Sequence, residues 1–145
     1  MKITLKNKLV KRFDFLHYNP DLKMYPYHMF GVECGDGWFK LLWDLFTKIE
    51  KILLKADEHF APEFEVHQIK EKFAGLRVYC SGRIDAIHTL IDIAEEESFK
   101  ICEDCGAKAQ DERVDIHGWY SSLCRKCEKK ERNAYNKRNK KTTKE

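Results

Sequence analysis

The chain has 145 residues, 43% of them hydrophobic, with nine Phe, six Tyr and three Trp, enough for one packed core and a small appended module. Charged residues make up 35%, yet the net charge is only +3, which argues against a general polyanion binder. No run approaches the roughly 18 apolar residues of a membrane span, and the start MKITLKNKLVKRFDF lacks the apolar stretch of a secretory leader, so a cytoplasmic protein is expected.

Ile3 and Leu5 alternate with polar neighbours, then Leu9, Val10, Phe13 and Leu16 follow helical spacing, which predicts a short strand followed by a helix. From His17 to Cys34 the prolines and aromatics suggest an extended connection packed on the core. Glu33-Cys34-Gly35-Asp36-Gly37-Trp38 reads as a turn into a helix, with Asp36 as N-cap. That helix is expected to run to about His59. Trp38, Leu42, Leu45, Ile49, Ile52 and Ala56 form its stripe, widened by Phe39, Phe46, Leu53 and Phe60. Leu41, Trp43 and Leu54 fall outside the stripe, so the helix is either sandwiched between layers or partly exposed to a partner; burial is the expectation.

Phe64 to Ser81 alternates with period two and predicts a β-hairpin reversing at Gly75. Ile84, Ile87, Ile91, Ala94 and Ser98 then give a second amphipathic helix ending near Phe99. The fold class expected is α+β: a small antiparallel sheet with two packed helices and a C-terminal zinc ribbon. The divisions are a body over 1–99, a ribbon over 100–127 and a basic extension over 128–145. Of the 27 Lys/Arg and 24 Asp/Glu, ten and three lie in residues 125–145, leaving 17 and 21 in the first 124, so the body is mildly acidic and the extension basic. The extension has almost no apolar stripe and reads as a solvated helix or a disordered tail.

The strongest chemical signal is Cys102 to Cys127. Two Cys-x-x-Cys pairs stand 18 residues apart, inside the spacer of roughly 15–20 that suits a tetrahedral zinc site. Cys102, Cys105, Cys124 and Cys127 are the expected ligands of one structural zinc, and four thiolates would leave no coordination position for substrate. Two disulfides are the competing reading and would need an oxidising compartment. Cys34 and Cys80 lack partners at ligand spacing and read as free thiols or small core residues.

Enzyme patterns fit poorly. The zinc-deaminase and zincin motifs are missing. Asp115-Ile116-His117 before the second pair has a faint likeness to HNH nucleases, but the histidine expected after the last cysteine is Glu128. Between the pairs, Trp119 or Tyr120 is expected to cover the metal and anchor the ribbon, with an exposed stacking platform as the alternative. Lys70, Lys72 and Arg77 around the hairpin, and Arg125 and Lys126 on the second pair, are the remaining candidate binding residues; ordinary solvated charge is the competing reading.

The stretches Glu33–Trp38, Gln68–Tyr79 (QIKEKFAGLRVY), Ala94–Ser98 (AEEES) and the ICEDCG…GWYSSLCRKC module together resemble a family of small, uncharacterised zinc-ribbon proteins of bacteriophages and other mobile elements. Ala74 stands where that resemblance leads one to expect a second glycine. The resemblance implies context rather than mechanism: a host cytoplasm, and a protein partner such as a host defence factor. The expectation is therefore a non-catalytic, zinc-stabilised module that binds and inhibits a host defence or nucleic-acid-processing factor. Nucleic-acid binding through the ribbon and basic extension is the alternative, and an HNH-like nuclease a distant third.

Overall fold

In the computed structural model, residues 1–56, 64–82 and 84–142 are described. Helix α1 spans Ile3–Arg12, so the expected opening strand is replaced by a helix from the third residue. The reason lies in burial: Ile3 is 67% exposed while Leu5 and Leu9, four apart, turn inward, whereas a strand would put all three on one face. The expected extended connection after it is folded into short turns. Asn19 Oδ1 accepts the Asp21 N–H at 2.9 Å to start one, and Pro26 opens α2, Pro26–Phe30, at the helix position that proline favours. Strand β1, Val32–Glu33, follows.

Helix α3 covers Phe39–Leu53. It stops short of His59: Leu54 N–H still bonds Glu50 O, and the chain then tightens as Lys55 N–H turns to Ile52 O. Phe60 and the rest of 57–63 lie outside the described residues. The apolar circumference of α3 is sandwiched as expected. Leu42, Leu45, Phe46 and Ile49 are buried, and Leu41 and Trp43 pack on the same core. Phe13, Phe46 and Trp43 meet in edge-on contacts at 5.5–5.7 Å, the geometry that the ring quadrupole favours. Leu54 is exposed.

The hairpin forms from β2, Val66–Lys72, and β3, Gly75–Cys80, paired antiparallel. A register shift between Val66 and Gln68 breaks strict alternation and lets both Val66 and Ile69 face the core. β1 adds a short parallel pairing, Val32 opposite Ile69 and Glu33 opposite Lys70, so the sheet order is β1-β2-β3. The reversal is at Phe73–Ala74, both at positive φ (52° and 71°), and not at Gly75. Gly75 serves a different need: a Cβ there would lie 2.5 Å from the Phe99 ring.

Helix α4, Asp85–Ser98, packs Ile87, Ile91 and Ala94 inward against β3 and α3. Ser98 ends that stripe for a polar reason. Its Oγ accepts the Leu76 N–H at 2.9 Å and donates to Glu95 O, tying α4 to the start of β3. Past α4 come β4, Val114–Ile116, and β5, Trp119–Ser121, paired as a second small sheet. Helix α5, Arg125–Thr142, begins inside the second cysteine pair, three residues before the boundary expected at 128. Hydrogen bonds also cross the boundary at residue 100, described below. No helix among the described residues is long and apolar enough to cross a membrane.

Ser98→Ala is expected to leave the Leu76 N–H buried without an acceptor and to cost about 1–3 kcal/mol, since an unmade buried bond costs more than an average bond contributes. Denaturant unfolding checks this; an unchanged midpoint would show that the Leu76 amide finds another acceptor.

Candidate metal centre

The four expected ligands converge. The sulfur atoms of Cys102, Cys105, Cys124 and Cys127 all lie within 4.8 Å of one another, and Cys105 Sγ stands 3.8 Å from Cys124 Sγ. Thiolates about 2.3 Å from a central ion sit about 3.8 Å apart in a tetrahedron, whereas a disulfide needs about 2.05 Å. All six cysteines are free thiols here. The donor set thus fits a tetrahedral ion and not two disulfides.

Local backbone chemistry explains the convergence. The first knuckle closes when Gly106 N–H bonds Cys102 O at 2.8 Å, with Gly106 at φ +77°, where glycine has no Cβ penalty. Cys102 N–H bonds Ala107 O and Glu103 N–H bonds Ser122 O, which sets the first knuckle against the end of β5. The second knuckle opens α5. Cys127 sits in the first turn of that helix, where free N–H groups and the positive end of the dipole favour anions. The backbone N–H of Cys127 accordingly pulls the Cys124 thiol down to about 7. Burial pushes Cys102 and Cys127 the other way, against backbone N–H donation to Cys102 from Cys124, Cys105 and Asp104. A small apolar cluster of Val114, Leu123 and Ile116 packs beside Cys102 and Cys127 and limits water.

The loop before α3 clasps the first knuckle. Gly37 N–H bonds Glu103 O at 2.6 Å, Gly35 N–H bonds Glu103 Oε1 at 2.9 Å, and Trp38 Nε1 donates to Ile101 O at 2.9 Å. The fit leaves no room for side chains: a Cβ on Gly37 would stand 2.1 Å from Cys102 O, and one on Gly35 2.3 Å from Glu103 O. Asp36, expected as N-cap of α3, does a different job. Its carboxylate accepts the Lys2 N–H at 2.6 Å and lies 3.2 Å from Lys2 Nζ, and the Lys2 backbone bond helps hold its pKa below the usual range. Burial pushes the Glu103 carboxyl up to about 7, partly offset by the Gly35 N–H. Sequence reading missed Gly35, Gly37 and Glu103 as part of this site; the only available signal was two glycines bracketing an aspartate just before a tryptophan.

Cys34 is buried in the main core beside this loop, and burial, with the Glu103 charge, pushes its thiol up to about 12. Cys80 packs on the same core with its thiol also raised by burial. Neither belongs to the cluster.

The remaining candidates are dispersed. Trp119 and Tyr120 do not cover the cysteine cluster: they are 67% and 44% exposed, and neither joins the apolar cluster beside Cys102 and Cys127. Trp119 borders a groove of about 250 Å³ shared with Ile116, Leu123, Tyr135 and Arg138. Arg77 is bound into the body, 2.6 Å from Glu95 and donating to Leu76 O. Lys70 stands 5.9 Å over the Tyr79 ring and Lys72 5.6 Å over the Phe73 ring. Arg125 and Lys126 are exposed at the start of α5.

Helix α5 has two unlike faces. One docks on the ribbon: Glu128 accepts from Gln110 and Arg132, Arg132 donates to Asp115 O, and His117 stacks on Tyr135 at 3.9 Å. The other lines a shallow concavity with Lys126, Lys129, Lys130 and Lys137 and no carboxylate. Compared with known proteins, the chain matches no family model, no curated protein and no solved structure.

Gly37→Ala is expected to destabilise the fold by several kcal/mol and to weaken metal retention, although Gly37 donates no ligand, because the new methyl meets backbone that cannot yield. Thermal unfolding and metal content after dialysis check this. A variant that melts like the native protein and keeps its metal would contradict the clasp.

Proposed function

We propose that the chain is a non-catalytic, zinc-stabilised module that binds single-stranded nucleic acid through its ribbon and the outer face of α5. Zinc is the metal that four thiolates at this spacing suit best, and a closed four-sulfur shell gives it a structural task. The observation that carries the binding reading is the exposure of Trp119 and Tyr120 on a ribbon beside a basic helix. Helix α5 holds nine Lys/Arg against two Glu over Arg125–Thr142. Aromatic rings that stack on bases, next to a positive surface that tracks phosphates, are the combination single-strand binders use.

The arrangement supports a division of labour. The concavity of Lys126, Lys129, Lys130 and Lys137 lies about 100° around α5 from the strip of Tyr135 and Arg138 that borders the Trp119 groove, so a strand bound to both would wrap part of the helix. Phosphates would follow the lysines. The Trp119 groove also carries Glu103, Asp104 and Glu131, which suit base edges and repel phosphates.

A protein partner, such as a host defence or nucleic-acid-processing factor, is the second reading. Tyr18, Met24, Met29 and Phe30 favour it, four exposed apolar side chains within one short segment of the body. It ranks lower because it leaves the exposed ribbon aromatics and the carboxylate-free basic face without a task. An HNH-like nuclease ranks last; His117 is stacked on Tyr135, which serves to dock the ribbon turn on α5.

Elemental analysis of protein purified without added metal is expected to give one zinc per chain. A labelled single-stranded oligonucleotide should bind with an affinity that falls steeply between 50 and 200 mM salt. Trp119→Ala should weaken that binding by about 1–3 kcal/mol, the value of one stacked base, without lowering thermal stability. Binding that ignores both salt and Trp119 would sink the nucleic-acid reading, and specific capture of one host protein by a variant lacking residues 128–145 would favour the second.

A further inference from the structure

The turn of the main hairpin is built against its own conformational preference. A two-residue loop with both residues at positive φ is the type I′ turn, which favours Asn-Gly or Asp-Gly. Here the residues are Phe73 at φ 52° and Ala74 at φ 71°. A bulky side chain in the left-handed region is a genuine outlier. Ala74 is fully buried and takes part in folding: its N–H donates to Glu71 Oε1 at 2.7 Å, and its carbonyl accepts from Ser122 Oγ at 2.7 Å. Phe73 is different. Its ring is 60% exposed, so it combines an unfavourable backbone with little apolar burial. Folding alone gives no reason to keep a phenylalanine there.

The surroundings give a reason. Arg113 donates to Phe73 O at 3.2 Å, and Ser122 holds the next carbonyl, so the turn is pinned to the ribbon from two sides. Lys72 Nζ stands 5.6 Å from the Phe73 ring centre, and Arg113 lies 5.5 Å over the Phe99 ring. The Glu71 carboxylate is engaged with the backbone N–H of Ala74. The turn thus presents an exposed ring pinned to the ribbon, with Lys72 and Arg113 beside it.

From this geometry we infer that Phe73 is a second stacking platform for an unpaired base, with Lys72 beside it for the phosphate, so that the binding surface runs from the ribbon onto the body. The inference rests on the single-strand reading above and extends it to the β2–β3 turn. Strain held at an exposed residue is characteristic of binding sites, where the backbone is set before the ligand arrives.

Phe73→Asn separates the binding role from a folding role, because asparagine suits a left-handed turn position yet offers no ring. Thermal unfolding and binding of a labelled oligothymidylate at fixed low salt are measured on the native protein, Phe73→Asn, Phe73→Tyr and Trp119→Ala. The asparagine variant is expected to melt at the same or a higher temperature and to bind about tenfold more weakly, a loss within the range for one stacked base; the tyrosine variant should bind like the native protein. If Phe73→Asn binds normally while Trp119→Ala does not, the surface stops at the ribbon and the inference fails, with the single-strand reading intact. A lower melting temperature for Phe73→Asn would assign the ring to folding and also overturn it. If the native protein binds no oligothymidylate, both fall together.

Discussion

The contact between residues 35–38 and the first cysteine knuckle is what the rest of this structure depends on. Gly37 N–H and Gly35 N–H hold the backbone and the side chain of Glu103, while Trp38, fully buried, donates its indole N–H to Ile101 O. Each such bond contributes only about 1 kcal/mol net, so their number is less decisive than their placement. They join the residue before α3 and the residues around Cys102 into one surface with no space for a Cβ. A metal held by the four cysteines would order the knuckle, and through these bonds the knuckle sets the loop from which α3 begins. Ligand-binding free energy at such a site is folding free energy, and these bonds would carry it beyond the ribbon into the body.

A second set of bonds adds another connection between ribbon and body. Ser122 and Arg113 hold the carbonyls of Ala74 and Phe73. The ribbon is therefore attached at two separate points of the body, one at each end of sequence between Cys34 and Gly75. That double attachment is what gives the exposed side chains of β5 and of the β2–β3 turn a common, fixed frame, and a fixed frame lowers the ordering cost of binding. Helix α5 extends the frame outward, held through Glu128, Arg132 and Tyr135.

The four cysteine ligands were legible in the sequence because metal geometry imposes a spacing that few other chemistries share. The hairpin and α4 were legible from periodicity, and the sandwiching of α3 from its apolar circumference. Other features turned on contacts between residues distant in sequence. Asp36 has the composition of an N-cap, but Lys2 takes its carboxylate. Gly75 looks like the reversal, yet its glycine is required by Phe99, which comes from the end of α4. Ser98 sits in an apolar stripe because Leu76, 22 positions earlier, needs an acceptor. The exposure of Trp119 and Tyr120 runs against the expectation that one of them covers the metal, since aromatic residues in small modules serve as platforms as well as anchors. α1 was misread because Ile3 and Leu5 alternate as in a strand, whereas burial, with Leu9 inside and Ile3 out in solvent, follows a helical turn.

The coupling of metal to body is tested most directly by amide hydrogen exchange at Gly35 and Gly37, compared before and after the metal is removed with a chelator. Both amides are expected to be protected in the metal-bound protein and to lose protection together with Cys102 and Glu103 when the metal leaves. Protection of Gly35 and Gly37 that persists while residues 102–127 exchange freely would contradict it, and would make the body independent of the ribbon it holds.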